Sequence, residues 1–206
     1  MELQFKNICK SFGEKTVLRD FSLDFPESGT VCIFGPSGCG KTTLLNCVAG
    51  LVKPDSGEIL GLQGKKTSCL FQEDRLLPWC TAQENVAAVL NKSEKQNAAE
   101  AAAWLERLGL SGEACQYPSN LSGGMRQRVA IARALAYGGD VFLMDEPFHA
   151  LDEKTKAEVI ALIQKKTTGA LKLLVTHDDR EAQVLADMIY VLSGPPLTVE
   201  RVITKN

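Results

Sequence analysis

Residues 2–8 and 17–25 alternate apolar and polar side chains, the pattern of strands with one face in water. Residues 29–34 and 141–145 are short, nearly unbroken apolar runs, as buried strands are. Residues 67–71, 171–176, 189–192 and 198–203 also read as strands, the last two closing the fold. Helices are predicted over 42–49, 152–166 and 179–186, and from 81 to about 135 the chain turns helical. Within that stretch 98–110 combines strong helix formers with an apolar stripe, and Gly109 supplies a stop. Pro54, Asp55, Ser56 and Gly57 have the chemistry of a turn. Strands alternating with helices in the outer segments predict an α/β fold with a mainly parallel sheet. The two leading strands form an antiparallel β part, and the middle stretch is a helical insertion, about 74–136, in a single domain of 1–206.

Two strings sharpen this picture. Gly35, Pro36, Ser37, Gly38, Cys39, Gly40, Lys41, Thr42 and Thr43 fit G-x-x-x-x-G-K-[ST] between a predicted strand and a predicted helix. In that setting loop N–H groups and the helix N-terminus face a phosphate. Lys41 would reach the β/γ-phosphates and the Thr42 hydroxyl would hold Mg²⁺. The second string is Leu121, Ser122, Gly123, Gly124 and Met125, opening a helix with Ser122 as a good N-cap. Its glycines would let backbone approach an anion closely. Asp145 ends an apolar strand, where a carboxylate meets Mg²⁺ at a sheet's C-terminal edge, and Glu146 follows it. By themselves these two also fit a surface pair before a proline turn.

Composition excludes several classes. Hydrophobic residues make up 45% and charged residues 23%, enough for a real core. The net charge of −2, without a basic block, argues against nucleic acid as partner. No run approaches ~20 apolar residues, so no spanning segment is expected. The N-terminal residues read as a strand, so no signal peptide is expected. Seven cysteines, unclustered and without C-x-x-C, fit a reducing compartment better than a disulfide framework or zinc site.

With its strings in this order, the chain resembles the ATP-binding subunits of ABC transporters over nearly all its length. LSGGM at 121–125 is close to that family's LSGGQ signature. The importer group for nitrate, taurine, sulfonates and pyrimidine precursors is suggested by residues 71–79, 121–135 and 191–196. The resemblance implies a P-loop ATPase core, ATP and Mg²⁺ as ligands, and two copies packed head to tail. It further implies a separate membrane permease, an extracellular solute-binding protein, and a peripheral place on the cytoplasmic face of the membrane. No C-terminal regulatory domain is expected.

It makes Glu146 the base, His177 the switch histidine, Gln72 a Mg²⁺- or water-bridging residue, and Phe12 the aromatic that stacks on adenine. Phe12 also fits an ordinary core strand residue. Asp152 belongs to the D-loop. Two positions depart from the family: Met125 replaces the usual glutamine, and His149 stands where a small or polar residue is usual, read as an interface residue without a catalytic role. Residues 73–80 cluster Leu76, Leu77, Pro78 and Trp79 among charges. That is either the contact with the membrane subunit or a cap on the helical core. A soluble ABC ATPase uncoupled from a transporter is the alternative function.

Overall fold

The computed structural model describes residues 2–205; positions 1 and 206 of the expected domain lie outside it. The chain divides into two compact units. The first comprises residues 2–69, 139–146 and 169–205. It opens with strands β1 (Leu3–Phe12) and β2 (Lys15–Phe25), followed by β3 (Gly29–Phe34), helix α1 (Lys41–Val48), β4 (Ser56–Leu60) and β5 (Thr67–Leu70).

β1 pairs antiparallel with β2 on one side and β4 on the other, giving a three-stranded sheet. β1 runs past the expected end at residue 8 because it bulges. Asn7 has φ +50, and the register with β2 slips between Phe5 and Ile8. A bulge resets which face each side chain takes, so strict alternation ends although the strand continues. β4 was not expected from the sequence. It is a mostly exposed edge strand without alternation, held by pairing of Phe5 with Ile59 and Lys6 with Glu58. Just before it, the Asp55 carboxylate accepts from the Ser11 amide at 2.7 Å and from Lys10 Nζ at 2.7 Å.

The second sheet carries the α/β core. With β6 (Val141–Asp145), β7 (Leu171–Thr176), β8 (Met188–Ser193) and β9 (Thr198–Thr204), its order is β5-β6-β7-β3-β8-β9. β6, β7, β3 and β8 run parallel, and β9 returns antiparallel. β6, β7 and β3 bury nearly every residue, which is why their sequences read as continuous apolar runs. One core joins both sheets to α1: Phe5, Phe21 and Phe25 from β1 and β2, Leu44 and Val48 from α1, and Val31, Leu143 and Leu173 beneath. Phe25 packs edge-on against Phe5 and Tyr190, and the Tyr190 hydroxyl donates to the Asp24 carbonyl at 2.7 Å.

The second unit comprises residues 70–138 and 147–168. It holds α2 (Ala82–Ala87), α3 (Glu94–Arg107), α4 (Gly123–Tyr137) and α5 (Glu153–Lys166). Capping boxes start α2 at Thr81 and α3 at Ser93. α3 stops just before Gly109, which adopts φ +67. Arg107 and Lys166 lie over Trp104, so α5 shares in this unit's packing. The last helix, α6 (Asp179–Leu185), belongs to the first unit and covers Cys32 and Ile189 with Ala182.

Phe25 is the keystone of the joined core. Phe25→Ala is expected to lower unfolding free energy by about 3–5 kcal/mol, read from urea denaturation. A loss below about 1 kcal/mol would mean the two sheets do not share this core.

Candidate functional site

Three neighbouring parallel strands end on chemistry. β3 runs into the loop 35–40, β6 ends on Asp145, and β7 ends one residue before His177. Their register is level: Phe34 pairs with Thr176, and Asp145 with Val175. A crevice beyond the carboxyl ends of such strands is where α/β sheets bind ligands.

The loop is fixed from both sides. Gly35 is buried so tightly that a Cβ there would lie 2.3 Å from the Leu192 carbonyl oxygen. Pro36, Ser37 and Gly38 are exposed, and Gly40 caps α1 without a side-chain hydrogen bond. Lys41 folds back over the loop, donating to the Gly35 carbonyl at 2.7 Å and the Pro36 carbonyl at 2.8 Å. Thr43 is half-buried. The Cys39 side chain is fully buried in the core, with Lys41 Nζ 3.9 Å from its sulfur. A buried side chain in a glycine loop has no sequence mark, since the motif leaves that position open.

Thr42 Oγ1 donates to Asp145 Oδ2 at 2.8 Å. Burial pushes the Asp145 carboxyl above its ordinary range; the Thr42 hydrogen bond opposes this, Glu146 adds to it, and Lys41 opposes it. A hydroxyl and a carboxylate at this distance are hard oxygen donors, and Mg²⁺ takes one or two protein oxygens together with phosphate. The pair therefore fits that ion. Among the described residues no group of three or more His, Cys, Asp or Glu could hold a metal alone.

Glu146 sits at φ +46, a region that non-glycine residues rarely adopt. Its amide donates to the Val175 carbonyl at 2.9 Å, and its Oε1 lies 3.0 Å from His177 Nδ1. An ionised Glu146 requires the hydrogen on Nδ1. Sequence reasoning missed what supports His177. The Thr176 hydroxyl donates to the buried Glu181 carboxylate at 2.6 Å and accepts from the Asp178 amide at 3.1 Å. Asp178 in turn caps α6. An acidic residue on the buried face of a short helix was the available signal.

Phe12, at the end of β1, is 51% exposed, with Lys10 Nζ 5.3 Å from its ring centre. It is no core residue.

The second unit carries the other candidates. Ser122 caps α4, its Oγ accepting from the Met125 amide at 3.2 Å, while the Ser122 amide meets the Met125 sulfur at 3.5 Å. The methionine thus completes the cap that a glutamine side chain would otherwise make. A Cβ on Gly124 would lie 2.8 Å from the Ala150 carbonyl, so its bareness admits close packing of α4 against residues 150–151. Gly123 has only loose neighbours, at 3.9 Å and beyond. Buried Gln127 reinforces the contact: its Oε1 accepts from the Ala150 amide at 2.9 Å and its Nε2 lies 3.0 Å from His149 Nδ1. Asp152 caps α5 by accepting from the Thr155 amide and hydroxyl, which hold its carboxyl below the ordinary range. Gln72 is exposed just beyond β5.

The family model described as "ABC transporter" matches residues 18–149. The aliphatic sulfonates import ATP-binding protein SsuB of Bacillus thuringiensis subsp. konkukian is 41% identical across all of this chain and 87% of that protein. SsuB 1 of Agrobacterium fabrum is 42% identical across 91% of this chain and 70% of that protein. Among solved structures, the dimeric post-hydrolysis state of the ATP-binding cassette MJ0796, bound to ADP and Pi, superposes with TM-score 0.88. It is 33% identical, and the match covers 98% of each chain.

Asp145→Asn keeps an acceptor for Thr42 and removes a buried charge. The variant is expected to melt above the parent without nucleotide and Mg²⁺, measured by scanning calorimetry, because an ionised carboxylate is disfavoured there. A lower melting temperature would contradict the assigned burial cost.

Proposed function

This chain belongs to the ABC transporter family of ATP-hydrolysing cassettes, and we propose that two copies close head to tail around two ATP to drive import through a separate membrane permease. The observation that carries this reading is the level ending of β6, β7 and β3 on Asp145 with Glu146, on His177 and on the Gly35–Lys41 loop. Hydrolysis is served by an acid-base pair, a cation and phosphate-facing backbone at one sheet edge.

The phosphates take the place of the Gly35 and Pro36 carbonyls as partners of Lys41, and the adenine ring stacks on Phe12. Thr42 and Asp145 would hold Mg²⁺. Such an ion would supply positive charge to neutralise the phosphates. Glu146 takes a proton from the attacking water, its backbone strain fixing where the carboxylate points. An imidazolium His177 donates to Glu146 through Nδ1 and offers Nε2–H to a γ-phosphate oxygen; a neutral ring makes one of the two. The N-terminus of α4, with Ser122, Gly123 and Gly124, closes over the other copy's ATP, and Asp152 borders the same junction. One chain needs one phosphate loop, so a second anion-binding helix end serves the neighbour.

The cassette acts as one functional domain, with a helical subdomain of about residues 74–136. It works at the cytoplasmic face of the membrane as a peripheral subunit. No helix among the described residues is long and apolar enough to cross a membrane. The named relatives, aliphatic sulfonates import proteins, support a sulfonate among the sulfonate, taurine or nitrate class of solutes; an extracellular binding protein would deliver it to the permease.

Glu146→Gln tests the centre of this reading. ATP affinity is expected to persist while turnover falls by about 10²–10⁴-fold. The unhydrolysed ATP should then hold a dimer visible by size-exclusion chromatography. Turnover within a few-fold of the parent would place the base elsewhere.

Trp79 tests the partner. It is 72% exposed, whereas Leu76 and Leu77 are half-buried, so the indole is the apolar group available for a permease. Trp79→Asp is expected to leave the melting temperature unchanged and to abolish co-purification with the permease. Retained assembly would move the contact off this segment and favour an uncoupled soluble ATPase.

A further inference from the structure

The segment after Gln72 is tied to the start of α4 by a chain of polar contacts inside the second unit. Arg126, in the first turn of α4, uses two faces of its guanidinium. Its Nη1 donates to the Leu121 carbonyl at 2.8 Å, and its Nε reaches Asp74 Oδ2 at 3.3 Å. Arg133, two turns along the same helix, donates through Nη2 to the Asp74 carbonyl at 3.0 Å and through Nη1 to Asn85 Oδ1 at 3.4 Å. Asn85 is fully buried. Its Oδ1 accepts from the Leu77 amide at 2.8 Å, and its Nδ2 donates to the carbonyls of Leu77, Cys80 and Thr81 at 3.0–3.1 Å. Residues 74–81 are thus hung on α4 at two points. Trp79 protrudes between the backbone atoms that Asn85 holds.

Stability alone does not account for the Asp74–Arg126 link. Both side chains are partly exposed, 22% and 40%, and exposed ion pairs contribute little to folding. What the link does contribute is geometry. A planar guanidinium held at one edge by a backbone carbonyl and at another by a carboxylate fixes the two relative to each other. Here they are Leu121, the residue before the Ser122 cap, and Asp74, five residues before Trp79.

We propose that Asp74 and Arg126 are positioning residues that couple the Trp79 segment to the nucleotide-closing end of α4. The coupling rests on the dimer reading given above. Closure of α4 on the neighbour's ATP shifts Leu121 and, through Arg126, moves residues 74–81. By linkage, a partner that grips Trp79 biases the same helix end toward or away from closure. Coupling of this kind needs a contiguous set of contacts with two arrangements, and the second unit supplies the contacts.

Trp79 is itself the probe. The chain has two tryptophans, and Trp104 is only 8% exposed, so emission quenched by acrylamide reports Trp79. The experiment uses the full chain carrying Glu146→Gln, with and without MgATP, following dimerisation by analytical ultracentrifugation in the same samples. Dimer formation is expected to shift the Trp79 quenching constant. Adding Asp74→Asn, or Arg126→Gln from the other end of the link, is expected to abolish the shift while MgATP still yields dimer. A dimer without a quenching shift in the Glu146→Gln chain would overturn the coupling by itself, whatever the variants do. An undiminished shift in either folded variant would overturn it too. Failure of the Glu146→Gln chain to dimerise would instead overturn the functional reading, and this one with it.

Discussion

The parallel register of β6, β7 and β3 is the constraint on which the candidate site depends. Pairing of Asp145 with Val175 and Phe34 with Thr176 brings three unrelated sequence segments to one level. Without that level, the loop lysine, the Thr42–Asp145 pair and the Glu146–His177 pair would not share an edge. The register is secure because the three strands are buried on both faces. A slip would expose apolar side chains and displace the amide of Glu146 from the Val175 carbonyl.

Electrostatics at that edge are arranged for a ligand. Asp145 is buried at a cost that a bound cation would remove, and only a hydroxyl and a nearby lysine offset it meanwhile. Lys41 is buried with its ammonium on two carbonyls of its own loop. Carbonyls satisfy its donors but bring no full negative charge. Phosphate oxygens would bring that charge. Glu146 at the same edge is strained, and its positive φ fixes where the carboxylate points.

The two strings at 35–43 and 121–125 were legible because their glycines and single lysine sit where backbone must approach something closely. Most strands and helices were legible as well, since β3, β6 and β7 are apolar runs and β2 alternates. What escaped has a common cause. β4 is an exposed edge strand defined by its partner, and the extension of β1 passes a bulge at Asn7 that scrambles alternation. Cys39 points inward from a loop whose motif leaves that residue unspecified. Gln127, Glu181 and Asn85 are buried polar side chains, and their partners lie on backbone or on residues the sequence does not place beside them. Patterns report which face a side chain takes; they do not report which carbonyl it finds there.

Those buried polar groups also explain why α4 works as more than a cap. At its first turn Gly124 admits the Ala150 carbonyl, and one turn on Gln127 fastens the Ala150 amide and His149. The segment leading to Asp152 therefore cannot shift without α4, whereas a side chain at position 124 would force them apart. His149 then acts as part of a brace, and its departure from the family's usual small residue is accommodated by an amide that can present either donor or acceptor. On the helix's other side Arg126 and Arg133 fasten residues 74–81. The first turns of α4 are thus held by two polar clasps of different chemistry. An amide clasp works unscreened in the interior, and an ion-pair clasp near the surface weakens with salt. Ionic strength therefore acts selectively on the link to the Trp79 segment and leaves the link to the Asp152 segment in place.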